Sequence, residues 1–73
     1  MLNKLQNKLY NEIPLTKLME IKIQDYNESE LITTAPLSIN INDKGTAFGG
    51  SLSTITIISA WSLCWLISKE LGF

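Results

Sequence analysis

Asn40-Ile41-Asn42-Asp43-Lys44-Gly45-Thr46-Ala47-Phe48-Gly49-Gly50-Ser51-Leu52 is a polar, glycine-bearing loop that runs straight into the most apolar stretch of a 73-residue chain. The character changes at Ser51. Residues 52–71 contain no proline or glycine and are apolar over most of a helix's circumference, and Gly72 stands where a helix C-terminus is expected. At 1.5 Å per residue such a helix runs about 30 Å. A helix apolar nearly all round must be surrounded, by protein or by lipid.

Gly49-Gly50-Ser51 at the head of that helix has a physical use. The first turn of a helix carries unsatisfied N–H groups and a partial positive charge. Glycine lets a ligand approach that backbone closely, and Ser51 is placed to cap the helix through its hydroxyl. Two N–H groups near Gly49 and Gly50, aimed at one oxygen, would polarise a carbonyl and stabilise a tetrahedral oxyanion. The same residues also serve as a helix start with no ligand, and composition alone leaves both readings open.

Upstream, Leu2, Leu5, Leu9 and Ile13 recur at steps of three and four among polar residues, which predicts an amphipathic helix. Pro14 ends it, because the residue before proline is pushed out of helical geometry. Pro14 can also open a second short turn over residues 15–19. Ile21 and Ile23 alternate with Lys22 and Gln24 as in a half-buried strand. Asn27-Glu28-Ser29-Glu30 reads as the turn of a β-hairpin. Its second strand, residues 31–37, places Leu31, Thr33, Ala35 and Leu37 on one face, and Pro36 limits it.

Composition narrows the function classes. With one cysteine (Cys64) and no histidine, neither an intrachain disulfide nor an ordinary zinc site is available. The net charge is −1 with no basic patch, which argues against nucleic-acid binding. The lysines at 4, 8 and 17 enclose no apolar run, so no cleaved secretory signal is expected, and a lone thiol suits a reducing cytoplasm. A chain this short buries only about 60% of its unfolded surface, yet 45% of its residues are hydrophobic. Self-assembly or membership of a larger domain would resolve that mismatch.

Residues 45–68 form an uncharged run of 24, long enough to span a membrane, and Trp61 and Trp65 could be interfacial anchors. Its eight serines and threonines and its glycine-rich start favour protein surroundings instead.

The loop is similar to the motif of a hotdog-fold thioesterase family, a domain that bacteria often carry behind a GNAT-type acetyltransferase domain. The likeness rests on Asn40-x-Asn42-Asp43-Lys44-Gly45-Thr46-Ala47-Phe48-Gly49-Gly50-Ser51-Leu52. Ile13-Pro14-Leu15-Thr16-Lys17-Leu18-Met19, Ala35-Pro36-Leu37 and Ala60-Trp61-Ser62-Leu63-Cys64-Trp65-Leu66 extend it, in order and spacing, over residues 9–73. The resemblance implies an α+β hotdog fold, a curved antiparallel sheet round one long central helix, usually dimerised. It implies further that residues 1–73 hold the N-terminal helix, first hairpin, active-site loop and central helix of a partial domain, without its later strands. The activity implied is hydrolysis of an acyl-CoA or acyl-carrier thioester by water, in the cytoplasm and without cofactor or metal. A non-catalytic acyl-binding or dimerisation module and a small single-span membrane protein are the alternatives.

On that resemblance, Gly49 and Gly50 polarise the thioester carbonyl and Asn42 positions water or thioester. Asn40, Gly45, Thr46, Phe48 and Ser51 are the substrate-side candidates. Phe48 stands where many relatives have histidine, so its expected role is core packing. The helix acid of many relatives falls on Ile57, and residues 52–68 contain no carboxylate. Asp43 is therefore the only nearby candidate base, with an exposed Asx-turn as the competing reading. Lys44 could meet coenzyme A phosphates or simply be solvated. No histidine exists to activate Thr46, Ser53 or Thr54, which excludes a serine triad within these residues. Cys64 is expected to be a buried, inert thiol.

Overall fold

The computed structural model describes all 73 residues, in the order α1 (Leu2–Glu12), α2 (Pro14–Leu18), β1 (Lys22–Asn27), β2 (Glu30–Thr34), a 3-10 turn (Leu37–Ile39) and α3 (Gly49–Glu70). This is the α+β arrangement expected, an antiparallel hairpin laid along one long helix.

Elements begin and end where the sequence supplies a reason. Leu5 and Leu9 of the α1 stripe are fully buried, with Leu2 and Ile13 packed against the core at its edges. Pro14 sits at the first position of α2, where its missing N–H costs nothing. Helix α2 then closes with Glu20 in the left-handed region (φ 53°), while Glu20 N–H bonds Lys17 O and Ile21 N–H bonds Thr16 O. That pair is a Schellman closure with glutamate in the usual glycine place. Helix α3 ends in the same way on Gly72 (φ 88°), with Gly72 N–H to Lys69 O and Phe73 N–H to Ser68 O.

Asn27 pairs with Glu30, and both intervening residues, Glu28 (φ 49°) and Ser29 (φ 63°), have positive φ. The connection is therefore a two-residue type I′ turn, whose twist matches that of the strands. A register shift between Ile23 and Asp25 adds one residue to β1. Ile23 thereby stays on the helix side together with Tyr26, Leu31 and Thr33. The second strand stops at Thr34, and Pro36 turns the chain into the 3-10 turn. Leu37, expected to continue the inward face, is half exposed as a result.

The outer edge of β1 is occupied by α1. Gln6 donates from Nε2 to Ile21 O (2.9 Å) and accepts the Ile23 N–H on Oε1 (2.7 Å), so one amide imitates a neighbouring strand. Tyr10 Oη also donates to Ile21 O (2.9 Å). The core consists of Leu5, Leu9, Met19, Ile21, Ile23, Ile58 and Leu66. It covers one side of α3 alone. Ser59 pins the hairpin to that side: its hydroxyl proton goes to Ile55 O (2.6 Å), so at the 2.7 Å contact Thr33 must donate to it. The other side, with Leu52, Ile57, Trp61 and Cys64, is exposed. Cys64, expected to be buried, lies on that open side. By length and composition α3 could cross a membrane, a test that the core helix of a soluble domain also passes.

Candidate active-site loop and helix start

The loop before α3 is a small closed hairpin. Ile41 bridges to Ala47, Asn42 N–H bonds Thr46 O (2.8 Å), and Gly45 holds the tip with φ 80°, which glycine alone adopts freely. Asn42 builds this turn from inside. Its Oδ1 accepts the N–H of Lys44 (2.9 Å) and of Thr46 (3.1 Å), and its Nδ2 donates to Thr46 Oγ1 (2.8 Å). The amide of Asn42 is thus engaged in shaping the loop, and Gly45 and Thr46 serve the same turn. Asp43 and Lys44 stand exposed at the tip. No titratable side chain lines the two cavities that flank the helix start.

Helix α3 starts at Gly49, three residues before the expected position, with Phe48 as its N-cap and no side-chain cap. Ser51 is consequently a third-position helical residue and not the cap. Phe48 O accepts the Leu52 N–H, and the N–H groups of residues 49–51 have no partner. Three bare donors and the positive end of a 22-residue helix therefore face one place. Phe48 is not core: it is 55% exposed, and its ring lies over Gly50, where an added Cβ would fall 2.6 Å from Cε2. Around Gly49 nothing lies within 4 Å of an added Cβ, and its φ is unexceptional.

Asn40 ties this start to the rest of the fold. It is 7% exposed, and its Nδ2 donates to Met19 O (3.1 Å) and Pro36 O (2.8 Å). Two carbonyl acceptors fix which end of the amide is nitrogen. Its backbone accepts the Phe48 N–H (2.7 Å) and donates to Leu37 O (3.0 Å). The Oδ1 alone has no donor and is not sealed in, and Asn40 lines the cavities on both sides of the helix start.

Those cavities lie on either side of the helix start. The smaller, about 110 Å³, is walled by Ala35, Leu37, Ala47, Leu52 and Ile55. The larger and more open one, about 430 Å³, involves Leu15, Leu18, Ile39, Phe48, Gly50 and Thr54. Met19, Asn40 and Ser51 belong to both. The structure therefore brings together Asn40, Phe48, Gly49, Gly50 and Ser51, and keeps Asn42, Asp43, Gly45 and Thr46 in the supporting turn. Sequence reasoning missed the apolar walls. Their signal was the exposed pair Leu15 and Leu18 on α2 and the small Ala35 and Ala47 among larger neighbours.

Away from this site, the Tyr26 phenol is held above its ordinary range. The Glu70 carboxylate beside its phenol is the main cause of a pKa above the ordinary 10.0; burial adds to it and Ser29 opposes it.

Two comparisons bear on the arrangement. The family model described as "Putative thioesterase (yiiD_Cterm)" matches residues 2–73. The crystal structure of the putative thioesterase from Shewanella oneidensis superposes with a TM-score of 0.93 at 35% identity. That match covers 97% of this chain and 50% of the Shewanella chain, so the present chain spans about half the length of that relative.

Proposed function

The chain belongs to this thioesterase family, and from that membership we propose that it forms the carbonyl-polarising half of a hotdog domain that hydrolyses acyl thioesters. The substrate class is acyl-CoA or an acyl-carrier thioester, and water is the nucleophile. In this reading the fold is completed by strands laid over the open side of α3, and the domain works as a cytoplasmic homodimer without a cofactor.

The observation that carries the reading is Gly49. Its backbone needs no glycine, because φ is ordinary, and no neighbour would meet a side chain. Glycine there forgoes roughly 0.4–1 kcal/mol of stability relative to alanine, through the greater freedom of the unfolded chain. An open space kept at that cost over three unpartnered N–H groups suits close approach by a carbonyl oxygen. No acid lines either cavity. Asp43, the nearest candidate base in the sequence, could act only by leaving the exposed tip, so the base otherwise comes from the completing half or its dimer partner.

That absence of a base favours one second reading, a module that binds acyl thioesters without turning them over. Thiol release from butyryl-CoA separates the two. It is measured for this chain alone and for the chain co-produced with the second half of the Shewanella protein. Turnover only in the completed form supports hydrolysis. Ligand-induced shifts of the 49–51 amides without turnover support the binding module. Neither shifts nor turnover would sink both.

A further inference from the structure

The two cavities at the helix start differ in a way that sorts the two arms of a thioester. Resting on the reading above, we propose that the smaller cavity is the acyl pocket and that Ala35, Ala47 and Ile55 limit it to short chains, about four carbons deep.

The lining supports the sorting. Six of the eight residues round the smaller cavity are hydrophobic, and its two polar members, Asn40 and Ser51, also belong to the larger cavity. Those two residues therefore mark the junction. Ser51 carries one of the three unpartnered N–H groups, so a carbonyl held by residues 49–51 sits at that junction. From there the acyl chain has an apolar hole to enter. The thiol arm, whose amides need water or polar partners, has the wider and more open space. Asn40, whose Oδ1 has no donor, is one of the residues on that shared boundary.

The size sets the limit. A dry cavity of roughly 150 Å³ admits benzene, and 110 Å³ is smaller by about a quarter. Four carbons fill it. Each of those methylenes exchanges water for apolar wall, which is worth about fourfold in affinity. Further carbons meet Leu37 and Leu52, both half exposed, and so emerge towards solvent. They add nothing.

The test is an NMR titration of the isotope-labelled 73-residue chain with S-acyl-N-acetylcysteamine thioesters carrying two to ten acyl carbons. Affinity should climb about fourfold per carbon from acetyl to butyryl, then stay within about twofold to decanoyl. The methyl signals of Ala35, Ala47 and Ile55 should move with acyl length, and those of Leu15 and Leu18 should not. Ile55→Ala should extend the rise by two or three carbons, and Ala47→Leu should end it at acetyl. An unbroken rise to decanoyl, length-dependent movement at Leu15 and Leu18, or a length profile that ignores both variants would overturn the assignment. The underlying reading fails separately. Shifts of the 49–51 amides without length-dependent methyl shifts would keep the thioester and remove the acyl pocket. Methyl shifts without amide shifts would leave a cavity that binds alkyl chains but no thioester at its mouth, and the proposal would fall with the reading.

Discussion

Replacing Gly49 by alanine should stabilise the fold and damage the site at once. The stability gain comes from the chain itself. An alanine at a helical position with ordinary φ is worth about 0.5–1 kcal/mol, partly through the unfolded state, and no contact is forced because the space around Gly49 is empty. For a domain of this size that corresponds to roughly 2–8 °C in Tm. Gly50→Ala should gain much less. Its Cβ would lie 2.6 Å from Phe48 Cε2 and 3.1 Å from Cδ2, so the ring must swing away from the helix start. The ring is the far end of a half-exposed side chain, so the swing is cheap but not free. In a Phe48→Ala background the obstacle is gone, and Gly50→Ala should recover its full 0.5–1 kcal/mol. The cycle thus predicts a coupling of about 0.5 kcal/mol between positions 48 and 50. Thermal unfolding by circular dichroism supplies the stabilities, and the amide titration with the butyryl thioester supplies the affinities. Gly49→Ala should weaken that binding at least tenfold, since its methyl occupies the approach to the donors. A variant that is more stable and binds equally well would show that Gly49 is not kept for a ligand. A destabilised variant would refute the backbone argument itself.

Three further perturbations test the rest of the fold. Glu28→Asn with Ser29→Gly suits both positive-φ sites of the type I′ turn and should add about 1–2 kcal/mol in urea unfolding. Ser62 and Ser59 should respond in opposite directions. The buried Ser62 hydroxyl has no partner, so Ser62→Ala should stabilise by about 1 kcal/mol, whereas Ser59→Ala breaks the link from Thr33 through Ser59 to Ile55 and should cost about as much. At Tyr26 the folded pKa lies above the unfolded one. The neutral phenol is therefore favoured by folding, its contribution is intact below pH 10, and it is lost as pH rises through the folded value. Urea midpoints should fall more steeply above pH 10 in the wild type than in Tyr26→Phe, and parallel curves would remove Tyr26 from the account.

The parts of the fold legible in the sequence are those with a period or a breaker. Leu5 and Leu9 announced their buried face by spacing, Pro14 divided α1 from α2, and Gly72 closed α3. The hairpin was legible as polar punctuation, but its turn type was not, because Glu28 and Ser29 are not the residues that usually mark positive φ. The start of α3 was misplaced for a related reason. Ser51 looked like the cap, whereas the helix begins without a side-chain cap and leaves its first donors bare. The side of α3 that is buried could not be read at all. An all-round apolar helix has no stripe, and the choice falls to tertiary partners, Thr33 on Ser59 and α1 with β1 on Ile58 and Leu66. Cys64 and Phe48 were placed inside on polarity alone, and both lie outside. In the site, Asn40 and Asn42 were legible as important but not in their division of labour. Only the hydrogen bonds show that Asn42 spends its amide on the loop while Asn40 keeps one oxygen without a donor.

The open side of α3 still demands an occupant, and the hairpin decides which kind. Leu52, Ile57 and Trp61 are exposed along it, and residues 49–68 carry no charge. Lipid would accept that side of the helix taken alone. It would not accept what is fastened to the opposite side. Thr33 holds the hairpin to Ser59, Ile58 and Leu66 lie in the core shared with β1, and Tyr26 lies beside Glu70. The open end of the hairpin therefore sits beside the middle of α3 and its turn beside the last turn of the helix. Lys22, Asp25, Glu28 and Glu30 stand exposed on that hairpin. Embedding α3 would carry Lys22 and Asp25, at the end of the hairpin nearest the middle of the helix, towards membrane depth, at up to roughly 2.5–3.5 kcal/mol each on insertion scales. A protein surface imposes no such cost, because it covers the open side and leaves the hairpin in water. The charges on the hairpin therefore favour protein over lipid against the uncharged face of α3, in keeping with the proposed reading in which further strands cover it.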